Sequence, residues 1–319
     1  MATNENKSYP EANNKSIKYL VPLDGSGMAE SVIPVVESLA KSCGATVILL
    51  HVIEKKAPAT VHGERHLTEE AEAGRYLEGI SAILRSSGVA VENHVHANKE
   101  GDVAASIVQH AEEMNPDLVI MCTHGRGGLK GFLYGSIAQQ ALQKGTWPIL
   151  LVPPSAEGKK AAFRPARILV PLDGTHRHEP ALAQAFPIAN AYKAEMYLVM
   201  VIPTAARLSG EGSVPAKFMP RTMKVVLDLA EQGANDYLRQ IAGECQSEGV
   251  NIVTSVLRGD AVPRVLDHAA EIAADLIVMA SHGKSGLNAF LSGSTAARIA
   301  GKAARPLLLV RTSDMEESR

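Results

Sequence analysis

Aromatic side chains are scarce in this chain: Phe, Trp and Tyr together make up 4% of 319 residues, with a single Trp. Proteins that hold single-stranded nucleic acid stack bases on aromatic platforms, so that class is disfavoured. Charge of one sign is lacking too. Lysine and arginine number 32 against 34 acidic residues, a net charge of −2, which leaves no electrostatic footprint for nucleic acid or an anionic membrane. The three cysteines, Cys43, Cys122 and Cys245, are odd in number, scattered and without a CxxC pair. That favours a reducing, cytoplasmic compartment over a disulfide framework. No apolar run approaches the roughly 20 residues that cross a bilayer. The polar opening MATNENKSYPEANNKS holds no signal core and reads as a disordered tail. What is present is ordinary for a globular protein, 46% hydrophobic and 21% charged. The length suits two domains of about 150 residues.

The chain states one pattern twice. Asp117 to Leu142 reads DLVIMCTHGRGGLKGFLYGSIAQQAL and Asp275 to Ala300 reads DLIVMASHGKSGLNAFLSGSTAARIA, identical at 12 of 26 positions. Each is an apolar run, a glycine-bearing loop, and Gly-Ser opening an amphipathic segment, the pattern of a buried strand followed by a helix. Upstream the register also repeats. Asp24 and Asp173, and Val52 and Val201, are 149 apart, while Gly101 and Gly259, and Gly135 and Gly293, are 158 apart. Each half reads as βαβαβαβαβ, which predicts a parallel sheet covered by helices on both faces. Helices are expected over about Met28–Ser42 and Leu67–Ser86, with Val89–Ala97 as the third strand and a candidate for the sheet edge. Pro22 and Pro171 fall near the ends of what should be central strands, where proline marks a strand exit or bulge. Residues 1–16 read as the tail, 17–153 as the first domain, 154–166 as a linker and 167–312 as the second domain.

A glycine loop feeding a helix start offers unpaired N–H groups and the positive end of the helix dipole, an anion site most often used for phosphate. Thr123 to Gly128 with Gly135-Ser136, and Ser281 to Gly286 with Gly293-Ser294, supply these parts; a tight turn and a serine cap would give the same pattern. Gly283-Lys284-Ser285 is not a Walker A loop, because Val278 stands where its first glycine must be. No GxGxxG follows a first strand, so a dinucleotide fold is disfavoured. Asp24 and Asp173 close their first strands, placed to meet ribose hydroxyls or a cation, or equally to cap the next helix. His94 and His96 put two imidazoles on one strand face, a conceivable zinc pair, but no third ligand has convincing spacing, so no metal site is expected. Cys122 has no base near it in sequence and is read as a strand-end residue. There is no nucleophile elbow and no suggestive carboxylate pair.

The spacing Gly-x2-Gly-x9-Gly-[Ser/Thr] after a fourth strand, with Val21-Pro22-Leu23-Asp24-Gly25 and Val170-Pro171-Leu172-Asp173-Gly174 after the first, resembles the universal stress protein family in both halves. The resemblance implies two tandem open five-stranded parallel sheets of order 3-2-1-4-5, nucleotide α-hydrolase-like, binding ATP, ADP or AMP with or without Mg2+. By position it places Pro22, Asp24, Val52, Cys122, Gly125, Arg126, Gly128, Gly135, Ser136 and Ile137 at the first nucleotide. Pro171, Asp173, Val201, Ala280, Gly283, Lys284, Gly286, Gly293, Ser294 and Thr295 are their second-half equivalents. The Val52 and Val201 backbones would lie by adenine, the aspartates by ribose, and the glycine loops by phosphate. Both halves depart from the pattern at its first glycine, which is Cys122 or Ala280 here, and Cys is the larger intrusion. The resemblance also implies pairing through last strands, here Ile149–Val152 with Leu307–Val310 inside one chain, and two chains could associate further as a homodimer.

The leading expectation is a cytoplasmic adenine-nucleotide-binding regulator of stress survival, whose ATP hydrolysis, if any, is slow for want of a catalytic base. The alternatives are a nucleotide-processing enzyme of the α-hydrolase class, against which DGSG and DGTH replace the usual HxGH or SGGxDS loops, and a scaffold that binds no nucleotide.

Overall fold

Alternating strands and helices place each half of the chain on its own parallel sheet, and a computed structural model shows how the two sheets meet. It describes residues 16–55, 60–61, 63–98, 101–123, 136–154, 162–175, 179–204, 220–246, 249–282 and 295–312. In the first half, β1 (Lys18–Pro22), β2 (Thr46–Glu54), β5 (Ala90–Asn98), β6 (Leu118–Cys122) and β7 (Ile149–Val152) lie in the order β5-β2-β1-β6-β7. The second half repeats it with β8 (Arg167–Leu172), β9 (Glu195–Ile202), β10 (Ile252–Arg258), β11 (Leu276–His282) and β12 (Leu307–Thr312) as β10-β9-β8-β11-β12. Numbered by position in each half, both read 3-2-1-4-5. A two-stranded hairpin, β3 (Thr60–Val61) with β4 (Glu64–Arg65), interrupts the first half in a stretch that reads only as polar loop in sequence.

The halves join where β7 and β12 pair antiparallel, Leu151 opposite Leu307 and Ile149 opposite Leu309. Ten strands thus form one sheet, and the edges that two separate sheets would leave open cover each other. The strands near the join carry near-continuous apolar runs, as sheets covered on both faces require. One core layer holds Val21, Leu49, Val170 and Leu198 against α1 (Ile33–Cys43), α2 (Glu70–Ser86), α5 (Glu179–Tyr192) and the helix Pro220–Gln246. The other holds Leu20, Leu50, Leu169 and Val199 against α3 (Val103–Met114), α4 (Ser136–Lys144), the helix Ala261–Glu271 and the helix Thr295–Ala300. Both layers run through both halves. The α1 segment begins later than its apolar spacing suggests, because Ala29–Val32 is wound as a 3₁₀ turn ahead of it.

Two further contacts tie the halves together. Tyr192 of α5 hydrogen-bonds Ser38 of α1 at 2.7 Å, and the Tyr192 ring meets Phe163 edge-on at 6.3 Å. Arg311 of β12 reaches across the join and donates to the carbonyl oxygens of Gln143, at 3.1 Å, and Gly145. These carbonyls end α4 of the other half, where no intrahelical donor is available and a cation is favoured. Arg311→Met should therefore lower stability by about 1.5–3 kcal/mol, the range for hydrogen bonds from a charged donor. The measurement is the shift of the urea unfolding midpoint; an unchanged midpoint would show that Arg311 does not brace the join.

Candidate functional site

β1 pairs with β2 along its whole length, but with β6 only at Tyr19–Leu118 and Leu20–Val119. Leu23 N–H still donates to Leu50 of β2 at 2.9 Å, so the alternation along the strand turns the Pro22 nitrogen toward β6. It has no hydrogen to give. The ladder ends there, β1 and β6 part, and a crevice opens outside their C-terminal ends. The second half does the same: β8 pairs β11 only at Ile168 and Leu169, with Pro171 two residues on. This is the point where strand order reverses, the usual ligand position in open α/β sheets.

The first crevice is lined by Pro22, Leu23, Asp24, Leu50, Val52, Val103, Ile107, Met121, Cys122 and Ile137, with Met28, His51, Glu54 and His66 added. The second is lined by the corresponding Pro171, Leu172, Asp173, Val199, Val201, Ala261, Val265, Met279, Ala280 and Thr295, with Met200 and Pro203 added. The described residues enclose about 140 Å³ in the first and about 470 Å³ in the second. Two substitutions account for part of the difference in wall chemistry: Cys122 against Ala280, and His51 against Met200. The walls are mainly aliphatic, with Asp24 and Glu54 in the first and Asp173 in the second, which suits a flat base beside a hydroxyl-bearing sugar.

Asp24 and Asp173 are held alike. Asp24 Oδ1 accepts from Ser26 N–H at 2.9 Å and Ser26 Oγ at 2.6 Å; Asp173 Oδ1 accepts from Thr175 N–H at 3.0 Å and Thr175 Oγ1 at 2.7 Å. Each carboxylate thus shapes its own turn while standing on the crevice wall. The glycine between them is required: Gly25 has φ +89°, and a Cβ there would lie 2.7 Å from Leu67 Cδ1. Cys122 Sγ lies 3.3 Å from Ser31 Oγ and donates to the Thr123 carbonyl at 3.2 Å. Burial raises its pKa above the usual thiol value, with Asp24 adding and Ser31 opposing. The chemistry at Cys122 is that of a wall residue, not a nucleophile.

Of the other expected site residues, Ser136 and Thr295 open helices and Ile137 lines the first crevice. Gly125, Arg126, Gly128, Gly135, Gly283, Lys284, Gly286, Gly293 and Ser294 lie outside the described residues. Sequence reasoning missed His51 and His66. His51 is 1% exposed, its Nδ1 lies 2.8 Å from the Leu23 carbonyl, and its Nε2 has no hydrogen-bond partner among the described residues. Desolvation lowers its pKa below the usual histidine value, against the opposing pull of the Leu23 and Leu67 backbone. His66 is buried beside it with Nδ1 similarly unpartnered. The signal was a histidine inside the apolar run of β2.

A model of the universal stress protein family matches residues 18–153 and again 166–311. A universal stress protein of Methanocaldococcus jannaschii is 30% identical over 152 residues, covering 47% of this chain and 84% of its own length. One from Mycolicibacterium smegmatis is 22% identical over 304 residues, covering 92% of this chain and 96% of its own. Among solved structures, a universal stress protein from Archaeoglobus fulgidus superposes with a TM-score of 0.62 at 19% identity, over 94% of this chain and 97% of that one. Among the described residues no helix is long and apolar enough to cross a membrane.

Two outcomes follow from the wall residues. With its pKa raised, Cys122 holds less thiolate at any pH below that value, so iodoacetamide should label it more slowly than a free thiol at about pH 8, read by peptide mass spectrometry. His51 binds its proton less well folded than unfolded, so the unfolded chain takes up more protons once pH falls below the ordinary value of 6.5. Stability from this residue is complete above 6.5 and declines as pH falls through 6.5 toward the lower folded value. The urea midpoint should drop between about pH 7 and 5, and less steeply in His51→Gln.

Proposed function

The chain belongs to the universal stress protein family, and from that premise we propose that it binds an adenine nucleotide (ATP, ADP or AMP) in one or both crevices and acts in the cytoplasm as a stress-response regulator. The observation that carries this reading is the duplicated divergence of the first and fourth strands, which opens the same aliphatic crevice twice behind Pro22 and Pro171. In this reading the Val52 and Val201 backbones flank the base, and Asp24 and Asp173 face the ribose. The loops containing Gly125, Arg126, Gly128 and Gly135, and Gly283, Lys284, Gly286 and Gly293, close on the phosphates at the starts of the helices opened by Ser136 and Thr295, with Mg2+ accompanying ATP.

Binding here has the character of holding rather than turnover. Among the described residues, the ionisable groups on the first wall are Asp24, whose Oδ1 is committed to its turn, Glu54, the Cys122 thiol with its raised pKa, and two buried histidines. On the second wall Met200 replaces His51, so among the described residues that wall offers Asp173 alone. Regulation would follow from a change of conformation or partner with the nucleotide bound, the difference being a differential affinity of the two states. The two domains of the proposal span 17–153 and 167–312, with 154–166 between them.

The test is nucleotide content. Protein purified without added nucleotide is denatured and its supernatant run on ion-exchange chromatography, expecting ATP, ADP or AMP at about one or two per chain. Gly135→Val and Gly293→Val, each placing a branched side chain where a phosphate must approach, should each remove one site's share. An empty protein that also fails to bind added ATP with magnesium overturns the proposal.

A further inference from the structure

His94 and His96 stand on the same face of edge strand β5, opposite Leu50 and Val52 of β2. α3 packs over that face and brings His110 down onto them. The ring centroids of His96 and His110 are 4.5 Å apart, those of His94 and His110 4.7 Å. One ligand nitrogen from each of the three lies within 4.8 Å of the others. The closest pair, His94 Nε2 and His110 Nε2, is 2.9 Å apart.

The arrangement is already oriented as a metal site is. His110 is 3% exposed, and its Nδ1 lies 2.7 Å from the Ser106 carbonyl, one turn earlier on α3. A carbonyl can only accept, so Nδ1 carries the proton and the Nε2 lone pair is directed at His94 and His96. Anchoring the far nitrogen on a backbone carbonyl is how ligating histidines are usually held. His94 must then donate from Nε2; shifting that proton to its Nδ1 frees a second lone pair without net proton release. Tetrahedral zinc at 2.0–2.1 Å from each nitrogen needs ligand nitrogens about 3.3 Å apart. Small side-chain rotations bridge that from the spacings present.

We propose that His94, His96 and His110 form a binding site for a divalent transition metal of zinc type, with a fourth position left to water. Imidazole-only sites favour zinc, copper and nickel over magnesium or calcium, which take oxygen. Among the described residues the cluster is found in the first half alone. The 158-residue offset turns His110 into His268, but the strand positions opposite Val199 and Val201 are Ser255 and Leu257. His268 instead meets Glu271 at 3.1 Å, and its buried Nε2 has no partner among the described residues. A metal in the first half would tie edge strand β5 to α3, whose Val103 and Ile107 line the first crevice.

The test uses the full chain without an affinity tag, stripped with chelator and titrated with zinc chloride by calorimetry. Wild type should take up one tight equivalent, and His268→Ala should keep it. His94→Ala/His96→Ala should lose that equivalent with its circular dichroism unchanged. His96→Gln, which keeps shape and removes the imidazole, should weaken binding by at least about tenfold, since losses in the outer shell already cost 10–100-fold. Cobalt(II) added to the stripped wild type should give the intense visible absorption of four-coordinate metal. Equal zinc affinity in wild type and double variant, or no tight zinc in wild type, overturns the proposal.

Discussion

Proline has no N–H to give a neighbouring strand, and in each half one stands on the first strand where it would next bond the fourth. Two pairs form, then the ladder stops. The strands on either side are apolar and largely buried, so the sheet as a whole does not suffer from the gap; it opens locally into a crevice. The crevice floor is Leu23 and Leu50 or Leu172 and Val199, and its rim is the Asp-Gly-Ser or Asp-Gly-Thr turn. Every residue lining either crevice is there because β1 and β6, or β8 and β11, separate at that level. A non-proline residue at Pro22 could extend the ladder and narrow the opening.

Much of this was legible from the chain alone, for physical reasons. Parallel strands buried on both faces advertise themselves as apolar runs, and Pro22 and Pro171 announced a strand exit. The duplicated register tied each feature to its counterpart. What escaped were contacts between elements distant in sequence. His94 and His96 were visible as a pair on one strand face, yet His110 sits on a helix with its own apolar pattern, and only the packing of α3 on β5 makes it the third. His51 was hidden because a single polar residue within ATVILLHVI does not alter the period of a strand. The 3₁₀ turn ahead of α1 and the small β3–β4 hairpin depend on local turn geometry that hydrophobic spacing does not encode. The glycine loops, the most conspicuous feature in sequence, fall outside the described residues.

Duplication has left two crevices with one skeleton and different linings. Equivalent positions hold the aspartate, the following glycine and the aliphatic floor. At the wall, histidine stands in one where methionine stands in the other, and cysteine where alanine stands. Desolvation sets the consequences: a buried histidine loses its proton readily, a buried thiol keeps it, and a methionine does neither. The first crevice therefore holds a buried imidazole that stays neutral further into acid than a free one would, whereas the described wall of the second carries no histidine.

The antiparallel meeting of β7 with β12 has a consequence for assembly. Two separate copies that pair by their last strands can fall apart on dilution and can exchange partners, mixing like with unlike. Here the partners are covalently one chain, so their encounter is intramolecular and independent of protein concentration. Unlike always meets unlike, in a fixed ratio of one to one. A lining that diverged in one half is consequently always presented together with its counterpart, at every expression level of the protein.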